Sequence, residues 1–144
     1  MDEQQLDRLV AEAEIRNVVA RLAHLADDGD LAEYLDLFTE DATWESATDR
    51  RAGREDLLAG ARQRRADGIQ GPGSDTRHVN TTLWVRIDGP DTATAESYFL
   101  FLADASTAPR VRLTGRYEDT FRRNPDGWKL ASRRIRHDVN APER

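Results

Sequence analysis

The feature that most constrains the fold of this chain is a change of hydrophobic period about halfway along it. Leu6, Leu9, Val10, Ala13, Val18, Val19, Leu22 and Ala26 recur at steps of three and four, so the spacing predicts one amphipathic helix over about residues 4–26, ended by the turn containing Gly29. Leu31, Tyr34, Leu35 and Phe38 predict a second, shorter helix with Asp30 as its N-cap. Ala42 to Glu45 reads as a short strand carrying Trp44. Arg54 to Ala66 reads as a third helix preceded by Gly53, with Leu57, Leu58 and Ala61 on its apolar side. A loop rich in Gly, Pro, Ser and Asp follows over 67–75, the segment expected to be mobile and able to serve as a lid. From there the pattern alternates. Strand-like runs Arg77–Ile87, Thr92–Ala103, Arg110–Phe121 and Trp128–His137 are separated by turns at Asp88-Gly89-Pro90 and Asn124-Pro125-Asp126-Gly127. Helices first and an antiparallel meander afterwards define an α+β fold, with the helices packed on one face of a curved sheet.

At 144 residues the chain suits a single domain over 1–144, and no repeat or linker divides it. Its apolar residues, 38% of the total, fall in patterns rather than scattered, and the 33% that are charged supply the surface, which is the balance of a folded domain. A net charge of -6 speaks against nucleic acid as a partner, although the basic residues are almost all Arg, so local positive patches remain compatible with the sequence. The absence of Cys removes disulfides, thiolate metal sites and a Cys nucleophile together. Met1-Asp2-Glu3-Gln4-Gln5 is acidic and polar where a secretory signal begins basic, and no stretch approaches the roughly eighteen apolar residues of a membrane span. The expectation is a cytoplasmic protein without membrane contact. No metal and no organic cofactor are expected, because the carboxylates are scattered and no Gly-rich phosphate loop is present.

Two residues carry the chemistry. Asp27 stands at the end of the first helix in Leu25-Ala26-Asp27-Asp28-Gly29-Asp30, and His78 opens a strand in Thr76-Arg77-His78-Val79-Asn80. A carboxylate that orients and charges an imidazole is the minimal equipment for taking a proton from carbon or handing one to a leaving group. On a regular strand His78 shares a side with Asn80, Thr82 and Trp84, while Val79, Leu83, Val85 and Ile87 take the other. An Asp cluster at a helix junction also suits capping, and Asp30 is read that way.

The order Asp27-Asp28-Gly29-Asp30, then Leu37-Phe38-Thr39-Glu40-Asp41-Ala42-Thr43-Trp44, then Arg77-His78, then Gly127-Trp128-Lys129-Leu130-Ala131-Ser132-Arg133, resembles the SnoaL-like branch of the nuclear-transport-factor-2-like superfamily. That branch includes scytalone dehydratase and hexachlorocyclohexane dehydrochlorinase. The resemblance runs from the first helix to Arg136 and implies a cone-shaped α+β barrel in which Asp27 and His78 form a dyad. In the dehydrochlorinase pattern an Arg follows the Trp of the last strand by five positions, an interval that Trp128 and Arg133 keep. Two features of scytalone dehydratase-like members are absent: Ala26 replaces a Tyr before the helix-end Asp, and Tyr98-Phe99-Leu100-Phe101-Leu102-Ala103 lacks a second His.

These readings give Asp27, His78 and Arg133 as candidate catalytic residues, with Arg133 stabilising a developing anion or leaving group. Trp44, Phe99, Phe101 and Tyr117 are candidate pocket walls as well as core residues, and His24, three residues before Asp27, is an accessory candidate. Arg133 also suits an exposed strand, and His137 is read as structural or solvent-exposed. Tyr34, Tyr98 and Tyr117 could each donate a phenol, and nothing in the sequence singles one out. The reaction implied is elimination or isomerisation of a small, largely apolar, cyclic or polyketide-like molecule. The competing reading is a non-catalytic ligand-binding module, or a small subunit of a ring-hydroxylating dioxygenase-type complex. Long strands apolar on both faces, such as Tyr98 to Leu102, predict a homodimer or homotrimer.

Overall fold

The computed structural model describes residues 1–138; residues 139–144, the end of the expected domain, lie outside it. Helix α1 (Glu3–Asp28) starts with a reciprocal cap, in which the Asp2 side chain accepts from the Gln5 N–H and the Gln5 side chain accepts from the Asp2 N–H. It buries Ala11, Ile15, Val19, Leu22 and Leu25 as one stripe. Leu6, Leu9, Val10 and Ala13, expected in that stripe, are exposed. At about 100° per residue they gather on the side opposite Ile15 and Leu22, so α1 carries two apolar stripes, of which only one faces the sheet.

Asp30 caps α2 (Leu31–Asp36) by accepting from the Ala32 N–H at 2.7 Å. This helix is shorter than its spacing predicts, because Phe38 begins strand β1 (Phe38–Glu45) instead. Phe38 lies opposite Leu130, and the Leu130 N–H donates to the Leu37 carbonyl, so sheet pairing overrides the helical spacing. Strand β2 (Arg50–Ala52), unsuspected from the sequence, pairs with β1 and leads into α3 (Arg54–Ala66). Strands β3 (Arg77–Ile87), β4 (Thr92–Ala103), β5 (Arg110–Asn124) and β6 (Gly127–His137) follow. The sheet order is β2-β1-β6-β5-β4-β3, with the four long strands in an antiparallel meander and β1 joined to β6 in parallel. Helices followed by a curved six-stranded sheet make the α+β cone that the sequence predicts, with one parallel pair added. Among the described residues no helix is long and apolar enough to cross a membrane.

A bulge in β3 decides which side chains meet the helices. Thr81 lies opposite Tyr98 and Trp84 opposite Glu96, so β3 carries one extra residue there, with Thr82 in the left-handed region at φ 52. The extra residue reverses the alternation. Val85 therefore faces inward like His78, being opposite Ala95, while Trp84 turns outward and is 59% exposed. This corrects the regular-strand expectation, which put Trp84 beside His78 and Val85 on the other side.

A β-branched residue at positive φ stores roughly 1–3 kcal/mol of strain. Thr82→Asn should therefore raise unfolding stability by about 1 kcal/mol in urea titration, and an unchanged or lower midpoint would count against strain at the bulge. Asp56 ties β2 to α3: the Ala52 N–H, and then Arg51, hold its carboxyl below its ordinary value of 3.8. A depressed folded pKa contributes stability above the unfolded value and loses it as pH falls through the folded one. The stability difference between wild type and Asp56→Asn should be fully present at neutral pH and close as pH drops below 3.8.

Candidate active site

The end of α1 and the start of β3 meet through one carboxylate. Asp27 Oδ1 and Oδ2 each accept from the backbone N–H of His78 at 3.1 Å, and Oδ1 lies 2.7 Å from His78 Nδ1. Both side chains are only 14% exposed. An ionised carboxylate only accepts, so this contact puts a proton on Nδ1 and leaves Nε2 as a lone-pair base. Arg65 from α3 reaches the same helix end, donating to the carbonyls of Leu25 at 3.0 Å and Gly29 at 2.9 Å. The Gly29 carbonyl is one that a helix terminus leaves without an intrahelical partner, whereas that of Leu25 also accepts from the Gly29 N–H at 2.9 Å.

His78 lines a cavity of about 670 Å³. Its location follows from how side-chain size is distributed along β4. Ala93 and Ala95 share one buried core with the α1 stripe, whereas Phe99 and Phe101 form a separate cluster with Tyr117, and the cavity lies between that cluster and the helices. Leu22, Ala26 and Tyr34 face Phe99, Phe101 and Tyr117 across it. The His78 ring tilts against Phe101 with centroids 4.7 Å apart, and Phe99 stacks on Tyr117 at 4.5 Å. Gly115 makes that stack possible, since a Cβ there would lie 2.7 Å from the Phe99 ring and 2.4 Å from the Arg136 carbonyl.

Arg133 is buried in the cavity wall rather than on an exposed strand. Its Nε and Nη2 each donate at 2.9 Å to Asp119, and the guanidinium lies 3.8 Å from the Tyr117 ring centroid. Burial pulls the Arg133 pKa down, but the charge and hydrogen bonds of Asp119 more than reverse this, and the group stays above its ordinary value. Burial also pushes the Tyr117 phenol up to about 12, with Arg133 opposing and Asp119 adding to the rise. Tyr117 is therefore a phenol, not a phenolate, through the neutral range. The neighbouring Arg134 and Arg136 are exposed and pair with Glu45 and Glu118.

The remaining expected residues divide. Trp44, Phe99, Phe101 and Tyr117 all line the cavity, with the Arg64 guanidinium 4.7 Å from the Trp44 ring centroid. His24 does not: two residues from Leu22 and from Ala26 is about 200° of turn, so it projects from the opposite side of α1 and is exposed. Ile69 and Gln70 bring the 67–75 loop to the cavity, and His137 reaches its rim. Of the three Tyr, Tyr34 and Tyr117 line the cavity, while Tyr98 is half exposed on the outer face. Asp119, Asn80 and Arg112 were not singled out by sequence reasoning. A signal for Asp119 was present, because Tyr117-x-Asp119-x-Phe121 sets a carboxylate at an inward position, where a buried charge needs a partner. Asn80 also lines the cavity, and its buried Oδ1 accepts no hydrogen bond among the described residues. No group of three or more His, Cys, Asp or Glu among the described residues is placed to hold a metal ion.

Helices followed by a curved six-stranded sheet place the chain in the class of NTF2-like cone proteins. Residues 7–134 match the SnoaL-like domain, and the chain belongs to that family. An NTF2-like protein with a cystatin-like fold from Novosphingobium aromaticivorans is 27% identical, with 94% of this chain and 87% of that one aligned at a TM-score of 0.79. ActVI-ORFA from Streptomyces coelicolor is 26% identical over 88% of this chain and 97% of its own, with a TM-score of 0.75. A protein from Catenulispora acidiphila, solved in complex with S-DNPA, is 28% identical over 90% and 95%, with a TM-score of 0.76. No curated protein matches the chain significantly.

Removing one partner of a buried ion pair leaves the other charge uncompensated. Asp119→Ala should cost about 3–5 kcal/mol in chemical denaturation, and Arg133→Met together with Asp119→Leu should recover most of that loss. A cost below about 1 kcal/mol for the single change would show that the pair is solvated.

Proposed function

We propose that this chain is a cytoplasmic, cofactor-independent acid/base enzyme, either a lyase of the dehydratase or dehydrohalogenase kind or an isomerase. Its substrate is a small, largely apolar molecule of cyclic or polyketide-like character. The observation that carries this reading is the 2.7 Å contact between His78 Nδ1 and Asp27, made on the wall of an aromatic-lined cavity. With Nδ1 committed, Nε2 is the nitrogen available to a ligand, and it takes a proton from carbon next to an electron-withdrawing group. Asp27 holds the ring in that tautomer and stabilises the imidazolium that forms. Departure of a leaving group, or return of the proton to another carbon, completes elimination or isomerisation.

Arg133 and the phenols serve the other side of the reaction. The Nε/Nη2 edge of the Arg133 guanidinium belongs to Asp119, and Nη1 remains to donate to an oxygen or halide on which negative charge develops. Tyr117, kept protonated by burial, and Tyr34 are phenol donors in the same cavity. Members of the SnoaL-like family often act as polyketide cyclases or dehydratases, and the Catenulispora relative holds a small molecule, both of which support the reading. The location of Asp27 supports it too, because a carboxylate in the last turn of a helix faces the negative end of the helix dipole and is disfavoured there by about 0.3–1 kcal/mol. The active form in this reading is a homodimer or homotrimer. Its contact surface is the outer sheet face, where exposed Trp84 and Tyr98 lie among Arg86, Glu96, Glu118 and Arg134.

The test combines the ring tautomer with proton transfer. Nitrogen-15 NMR of the imidazoles should find neutral His78 protonated on Nδ1, reverting toward the Nε2-protonated form in Asp27→Ala. In deuterium oxide the protein should accelerate exchange of the acidic C–H of 2-tetralone, and His78→Ala should remove that acceleration by about 100-fold or more. An Nε2-protonated ring in wild type, with no exchange above buffer, would sink the proposal in favour of a ligand-binding module or a dioxygenase-type subunit.

A further inference from the structure

The cavity changes character between its depth and its rim. The deep wall is apolar, and Arg133, the cation buried in it, is matched by Asp119. At the open end, where Thr48, Val111 and His137 are exposed, charged side chains join the lining. Arg110 is tied to Asp104 at 3.0 Å and Asp49 to Arg51 at 3.1 Å. Arg64 and Arg112 are different. Neither pairs with a carboxylate among the described residues, and the contact Arg64 makes is with the face of Trp44.

Arg112 reaches the cavity through a break in the sheet. Phe101 lies opposite Leu113 and Leu102 opposite Val111, which leaves Arg112 as the extra residue of a bulge in β5. In unbroken alternation Arg112 would share the outer side with Thr114 and Arg116. The bulge instead puts Val111, Arg112 and Leu113 all on the cavity lining. A second guanidinium without a carboxylate partner among the described residues thus joins Arg64 on the cavity lining, in a chain whose net charge is -6. Carboxylates outnumber basic residues over the chain as a whole, so two cations in one cavity lining without carboxylate partners among the described residues run against its composition.

We propose that Arg64 and Arg112 form an anion-binding subsite at the rim, and that the natural ligand is a cyclic organic acid. Its carboxylate, or an equivalent anionic oxygen group, docks between the two guanidiniums while its neutral rings fill the apolar cavity. This rests on reading the cavity as the active site, and it adds the class of substrate. A guanidinium offers a planar fork of donors that matches a carboxylate, and stacking on Trp44 holds that of Arg64 in place while leaving its edges free. Placing the charged arm at the rim keeps it near water, which spares the desolvation that a carboxylate at the depth of the cavity would suffer.

The experiment compares 1-naphthylacetate with its neutral methyl ester by calorimetry at pH 7. Wild type should bind the acid about tenfold more tightly at low salt, and the preference should shrink in about 0.5 M sodium chloride. The double variant Arg64→Gln, Arg112→Gln should lose the preference and keep its affinity for the ester. His78→Ala should keep the preference, which separates this subsite from the proton-transfer chemistry. If the tautomer and exchange tests fail while the preference and its loss in the double variant stand, the subsite holds and the cavity is a receptor for organic acids. Equal affinity for acid and ester in wild type, a preference that survives the double substitution, or failure of both probes to bind would each overturn the proposal.

Discussion

The Asp27 carboxylate is the contact on which the site depends, because it binds the backbone and the side chain of the same residue. By accepting from the His78 N–H it fixes where β3 starts relative to the end of α1, and by accepting from Nδ1 it fixes the plane of the ring. The location is unfavourable for a negative charge. α1 has no basic residue in its last turn, and its C-terminal dipole opposes a carboxylate there. The missing cation comes from another element, since Arg65 of α3 lies on the carbonyls of Leu25 and Gly29. Three elements therefore converge on one turn, and the approach of α1 to the sheet is set from that end.

Where α1 lies determines where the cavity opens. Along β4 the inward residues run Ala93, Ala95, Ser97, Phe99, Phe101, and the alanines share one buried core with the α1 stripe. Beyond them the aromatic rings stand against one another instead of against the helix, and a cavity remains. Two bulges then adjust its contents. The one at Thr82 lets His78 and Asn80 face the cavity while Val85 still reaches the core further along the same strand. The one at Arg112 adds a cation to the cavity lining. In both cases one extra residue changes which side chains face inward without changing the order of the strands.

The sequence makes the architecture legible because each layer has its own period. The stripe of α1 from Ile15 onward, the cap at Asp30 and the four long strands are all visible in spacing and turn residues. What stays hidden depends on pairing. Phe38 has helical spacing but joins a strand because Leu130 lies beside it, and β2 is too short and too rich in Arg to show an alternation. The bulges are invisible for the same reason: a one-residue slip has no signature in Thr81-Thr82-Leu83 or Val111-Arg112-Leu113 until the partner strand is known. Asp27 and His78 could be singled out as chemical types, and the fold brings them to 2.7 Å. His24 shows the limit of proximity in sequence, since three residues from Asp27 on a helix placed it on the wrong side of α1 for the cavity.

A structural role for Asp27 explains only half of what the carboxylate does. To anchor the first residue of β3, the bond from the His78 backbone N–H suffices, and any residue other than Pro at position 78 would provide it. The second bond, to Nδ1, adds an imidazole to a half-enclosed aromatic setting, where an apolar side chain would pack against Phe101 with no polar group to satisfy. What the imidazole brings that Leu or Val would not is a second nitrogen, Nε2, that the contact with Asp27 does not occupy. The distribution of charge suits that nitrogen. Arg133 is neutralised by Asp119 in the wall, so the deep cavity favours the uncharged part of a ligand, whereas Arg64 and Arg112 have no carboxylate partner among the described residues. A ligand that follows this gradient enters rings first, with its neutral carbon framework toward the cavity wall formed by His78 and Phe101.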